Sequence, residues 1–92
     1  MGEAARSFVA ECFWPGVTES EVQALDARAS AAVAELADGG TPVRYLGSIL
    51  MREDEVVLCQ FDGAADAVRR VCELARIPFE RILETVYSPG ND

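Results

Sequence analysis

Residues Pro42 to Phe61 read Pro-Val-Arg-Tyr-Leu-Gly-Ser-Ile-Leu-Met-Arg-Glu-Asp-Glu-Val-Val-Leu-Cys-Gln-Phe. Val43 to Met51 and Val56 to Phe61 are runs rich in β-branched, aromatic and large apolar residues. Between them stand the four charged residues Arg52, Glu53, Asp54 and Glu55, the pattern of a hairpin with two long strands. Strand alternation puts Val43, Tyr45, Gly47 and Ile49 on one face with Val57, Cys59 and Phe61. The other face takes Arg44, Leu46, Ser48 and Leu50 with Val56, Leu58 and Gln60. A sheet with one face in water alternates apolar with polar residues. Here both faces are apolar, so both need cover.

Working outward, Ser7 to Trp14 reads as a first strand, closed by the turn signal Pro15-Gly16. Thr18 then opens a helix with complete local chemistry. Thr18 and Glu21 have capping-box spacing, and Val17 and Val22 stand where a hydrophobic staple would. Glu19 and Glu21 complement the positive end of the helix dipole. Val22, Leu25, Ala29, Val33 and Leu36 form one apolar stripe at helical spacing, and Gly39-Gly40 stops it. Beyond the hairpin, Ala64 to Arg76 reads as a second helix that Pro78 prevents from continuing. Phe79 to Tyr87 contains a last strand, and residues 1–6 and Pro89 to Asp92 are a lead-in and a polar tail.

The order strand, helix, strand, strand, helix, strand is the split βαβ pattern of the α+β class. It predicts one domain with an ordered core from about residue 7 to 88, its first and third strands central because both crossovers are right-handed. Two helices shelter one face of a four-stranded antiparallel sheet. To that face we assign Phe8, Ala10, Cys12, Tyr45, Ile49, Val57, Cys59, Phe61, Leu83 and Tyr87. The open face then takes Val9, Glu11, Phe13, Arg44, Leu46, Ser48, Leu50, Val56, Leu58, Gln60, Ile82, Glu84 and Val86. So many apolar residues in water would exceed the patch usual for a monomer. A second copy packed sheet against sheet is the expected cover, with an apolar space between the two.

Composition narrows the partners. The 92 residues carry 16 acidic side chains against eight arginines, with neither lysine nor histidine, for a net charge of −8. That field repels a phosphate backbone, so nucleic acid is not an expected partner. No apolar run approaches the roughly 18 residues of a spanning helix, and Met-Gly-Glu-Ala-Ala-Arg lacks the order of a signal peptide. A cytoplasmic protein without a membrane partner is expected. Cys12, Cys59 and Cys72 are an odd number without metal-site spacing, and read as reduced, buried thiols.

Glu11, Phe13, Arg44, Ser48, Gln60 and Glu84 are the candidate ligand-binding residues of the enclosed space. Glu11 and Glu84 fall on neighbouring strands among apolar residues, where desolvation and mutual repulsion would raise one pKa. Such a pair could bind a divalent metal or act as general acid and base. It could equally pair with Arg44 across the dimer and set its register. Without histidine, Ser–His and Cys–His catalysis and imidazole metal sites are excluded.

Phe8-Val9-Ala10-Glu11, Val43-Arg44-Tyr45-Leu46-Gly47-Ser48, Cys59-Gln60-Phe61-Asp62 and Ala75-Arg76-Ile77-Pro78-Phe79-Glu80-Arg81-Ile82 together resemble a family of small domains of unknown function. The best-described members of that family are nickel-binding proteins. The resemblance runs from Phe8 to Glu84 in order and spacing, and Glu11, Arg44, Ser48, Cys59 and Glu84 match its pattern. It implies a ferredoxin-like βαββαβ sandwich without an iron–sulfur cluster, a homodimer of the dimeric α/β-barrel type, and metal binding near the dimer interface in some members. Two departures stand out: Gly63-Ala64 replaces the family's Ala-Pro, and nickel prefers imidazole or thiolate to carboxylate while the chain has no histidine. By analogy of fold alone, the alternative is a cofactor-free monooxygenase or cyclase acting on an apolar substrate. In that reading Glu11 or Glu84 is the base, and Arg44 steadies developing negative charge.

Overall fold

The structure is a computed structural model and describes residues 6–90. The lead-in expected over residues 1–6 falls outside it except for Arg6, as do Asn91 and Asp92 of the tail. The elements are β1 (Arg6–Phe13), α1 (Glu19–Asp38), β2 (Val43–Met51), β3 (Val56–Gly63), α2 (Ala65–Leu74) and β4 (Arg81–Thr85). All pairings are antiparallel, in the order β2-β3-β1-β4, so the first and third strands are central as expected.

The caps explain where α1 begins and ends. The Glu21 N–H donates to Thr18 Oγ1 at 3.2 Å, and the Thr18 N–H donates to Glu21 Oε1 at 2.9 Å, completing the box. At the far end the Gly40 N–H reaches Ala37 O and the Thr41 N–H reaches Leu36 O, the two bonds of a Schellman motif. α2 ends in the same motif, with Arg76 N–H to Glu73 O and Ile77 N–H to Cys72 O. There the residue in the left-handed conformation is Arg76, at φ 56°.

α1 lies over β2 and α2 over β1 and β3. Between the layers Leu25, Val57, Phe61, Val68, Val71 and the three cysteine side chains are fully buried. Trp14, Val17 and Val33 pack against that core from its margin. The corner between β1 and α1 is tied to the hairpin turn through Glu55. Its carbonyl accepts the Trp14 N–H at 2.8 Å, and its carboxylate accepts the Gly16 N–H at 3.0 Å.

Two features overturn the expected division of the faces. The first is a β-bulge. Tyr45 pairs with Phe61, but Gly47, not Leu46, pairs with Gln60. One extra residue reverses the alternation of the rest of β2. Ser48 and Leu50 therefore turn in beside Cys59 and Val57, while Ile49 and Met51 turn out beside Leu58 and Val56. Ser48 and Leu50 were expected on the open face, and Ile49 under the helices. The second is the register of β4. Phe8 pairs with Glu84 and Ala10 with Ile82, so these two lie on the helix side, and Leu83 faces out with Val9. Expectation had them reversed. Val86 and Tyr87 lie beyond the strand, and Tyr87, expected beneath the helices, is 85% exposed.

Candidate functional site

The open face is the candidate site, and its rows follow from the register. Across β2, β3, β1 and β4, the first row is Arg44, Asp62, Ser7 and Thr85, and the second is Gly47, Gln60, Val9 and Leu83. The third is Ile49, Leu58, Glu11 and Arg81; the fourth, on three strands, is Met51, Val56 and Phe13. The polar groups gather in the first row and in the Glu11–Arg81 corner. Gln60 stands in the second row beside Gly47, the other positions are apolar, and several large side chains stand in solvent: Phe13 is 54% exposed, Leu46 47% and Ile49 44%.

Four of the polar residues on this face pair with one another. Ser7 Oγ donates to Asp62 Oδ1 at 2.7 Å, and Arg81 Nε donates to Glu11 Oε1 at 2.7 Å. The bond to Glu11 holds the Arg81 guanidinium pKa above its ordinary value. Between the first two rows is a shallow depression of about 230 Å³, whose lining includes Ser7, Val9, Leu46, Gln60, Asp62 and Thr85.

Of the six residues expected to line a ligand space, Glu11, Phe13, Arg44 and Gln60 do lie on this face. Ser48 and Glu84 do not. Ser48 Oγ donates to Asp26 Oδ1 of α1 at 2.7 Å, and Tyr45 Oη donates to the same oxygen. Burial, and then the bond to Asp26, push the Tyr45 hydroxyl above its ordinary pKa. Glu84 lies on the helix side of the edge strand, bridged by Arg6 through Nε at 3.1 Å and Nη2 at 3.0 Å. That bonding holds its carboxyl below the usual value.

Glu11 and Glu84 thus sit on opposite faces, each with its own arginine, and the expected carboxylate pair does not form. A pair on opposite faces can neither share a proton nor clasp one ion. Among the described residues no three histidine, cysteine, aspartate or glutamate side chains converge as metal ligands, so the donors of one protomer do not fit nickel. The thiols do not alter this, because Cys12, Cys59 and Cys72 are all free and buried. Cys59 is pushed up by its hydrogen bonding with Cys12 and by burial, and Cys72 is pushed up to about 12, chiefly by burial. Cys12 is pulled below its ordinary value by the same hydrogen bond with Cys59, but it is fully buried beneath the helices, out of reach of the open face.

Asp26 is the polar residue that sequence reasoning passed over. It stands one position after Leu25 and four after Val22, within the inward half of α1, and that placement was the available signal.

The two helices, the antiparallel order and the uncovered face define a ferredoxin-like α+β domain whose one open sheet surface is mainly apolar. No family model and no curated protein matches the chain. The crystal structure of SCO4226 from Streptomyces coelicolor A3(2) is similar, with a TM-score of 0.65 over 90% of this chain and 99% of that one. Sequence identity is 21%, so the likeness shows the fold. Among the described residues, no helix is long and apolar enough to cross a membrane.

Proposed function

We propose that this chain is one half of a homodimer closed through its open sheet faces, holding a small ligand between them. The observation that carries the reading is a contrast of charge. The chain as a whole is at −8, yet the charges on the open face are Arg44, Arg81, Glu11 and Asp62, which cancel. Two strongly acidic molecules can meet there without setting like charge against like. The anatomy agrees, with an apolar centre and polar groups at one end and one corner. Strand spacing of about 4.8 Å and rise of about 3.3 Å per residue give a footprint of about 500 Å² per protomer. Doubled, that is about the smallest area of a specific interface.

The ligand reading rests on the depression between Gln60 and Asp62 of β3 and Val9 of β1, which a second sheet would roof. It offers hydroxyl, amide and carboxylate groups beside Val9 and Leu46, which suits a small ligand with one polar end. The resemblance to nickel-binding proteins adds no metal to this reading, because the donors do not converge. The enzyme alternative loses Glu84, which lies on the other face, and keeps Glu11 as its candidate base with Arg44 on the same open face.

Light scattering coupled to size-exclusion chromatography tests the dimer. The wild type should run at about twice 9.9 kDa. Leu58→Asp, which sets a charge in the apolar centre, should run as a folded monomer by circular dichroism. A wild-type monomer at tens of micromolar would overturn the reading.

A further inference from the structure

We infer that Asp26, on the helix side of the sheet, is the positioning residue that selects which side chains β2 presents to the interface. The inference rests on the dimer reading above, and begins from a conflict inside β2. Continued without the bulge, the pairing of Tyr45 with Phe61 would set Ile49 beside Val57 and Met51 beyond it, under α1. Ser48 and Leu50 would then face out. By hydropathy that register is the better one for the core, since it buries two large apolar side chains and no hydroxyl.

The structure adopts the other register. A hydroxyl at Ser48 is turned towards α1, and Ile49 and Met51 stand in solvent, 44% and 36% exposed. Two observations account for the choice. Gly47 takes φ +120°, which permits the bulge, and its missing side chain leaves no void because nothing lies within 4 Å of where a Cβ would be. Permission is not selection, and the selecting contact is Asp26. One carboxylate oxygen accepts from Tyr45 on one side of the bulge and from Ser48 on the other. That grip spans the inserted residue and can form only when the bulge is present, because the unbulged strand turns Ser48 to the opposite face. β2 is an edge strand, so changing its register disturbs no pairing other than that with β3.

The consequence is an interaction surface made from the rear. Ile49 and Met51 join Leu58 and Val56 into the apolar centre that a second copy covers, in place of Ser48 and Leu50.

The test compares Asp26→Ala with Asp26→Asn, which keeps an acceptor oxygen, and with Thr18→Ala, which weakens α1 without touching β2. Side-chain NOEs from Ile49 report the register, and sedimentation equilibrium reports the dimer. Asp26→Ala should exchange the Ile49–Leu58 contact for Ile49–Val57 and weaken the dimer at least tenfold. Asp26→Asn should restore most of both, and Thr18→Ala should change neither. Should Asp26→Ala fold poorly, Ser48→Ala removes one arm of the grip and should show the same exchange in part. If Ile49 keeps its contact with Leu58 in both Asp26→Ala and Ser48→Ala, the inference is overturned. If the wild type is a monomer, the dimer reading fails, while the NOEs still decide whether Asp26 sets the register.

Discussion

Gly63→Ala probes the sheet at its tightest point. Gly63 ends β3, paired with Val43 on one side and Arg6 on the other, at φ +154°. A Cβ there would lie 3.1 Å from Val43 Cγ2, 3.3 Å from its Cβ and 3.4 Å from its Cα. The tip of a flexible chain would turn aside, but the Val43 Cα belongs to a paired strand, and Val43 is buried. Holding alanine at that φ costs about 1–3 kcal/mol, and overpacking against a fixed neighbour about 1–3 kcal/mol. The stiffer unfolded chain returns about 0.4–1 kcal/mol. The net loss is about 1–5 kcal/mol, a fall in melting temperature of at least about 4 °C for a domain this small. Gly47→Ala is the internal control. It meets the same kind of backbone strain without the contact, so it should lose about 0–2.5 kcal/mol, less than Gly63→Ala by the overpacking alone. Urea unfolding followed by circular dichroism, at one protein concentration because a dimer's stability depends on it, measures both. If Gly63→Ala loses no more than Gly47→Ala, the steric argument is wrong.

Arg76→Gly should stabilise the protein by about 0.5–1 kcal/mol, since α2 ends on a left-handed arginine where α1 has Gly40; thermal melts read this directly. Arg6 depresses the folded pKa of Glu84 below its ordinary 4.5. Its contribution to stability is therefore complete above about pH 4.5, and is lost as pH falls through the lower folded value. Glu84→Gln should remove that part of the acid slope, seen as a flatter stability curve below pH 4.5; because the pair is about half exposed and screened by solvent, the change is small. Raising ionic strength from about 0.01 M to about 0.15 M shortens the screening length from about 30 Å to about 8 Å. Two protomers at −8 should then dimerise more tightly, and sedimentation at the two salts would show it.

Most of the fold was legible in the residues. Thr18 with Glu21, the Gly39-Gly40 stop, the charged quartet between two β-rich runs and Pro78 each name a boundary, because each acts through its own backbone. The facial assignment was harder, since it depends on parity, and parity is a long-range property. Gly47 in the middle of a strand was the available sign of a bulge, but a strand apolar on both faces has no contrast with which to register a reversal. In β4 the run Arg-Ile-Leu-Glu-Thr puts an apolar residue on each face, and only pairing with β1 decides that Ile82 goes inward. Those two reversals removed Ser48 and Glu84 from the candidate site, while Glu11, Phe13 and Gln60, on strands without an ambiguity, and Arg44, on β2 ahead of the bulge, stayed.

The bulge has a bearing on what this protein avoids. A four-stranded layer ends in two outer strands whose free backbone groups invite another molecule to add a strand, and then another, without limit. β4 offers only five residues to such a guest, and β2 is interrupted where Gly47 breaks the ladder. Growth edge to edge is frustrated on both sides, which steers any association away from fibrils.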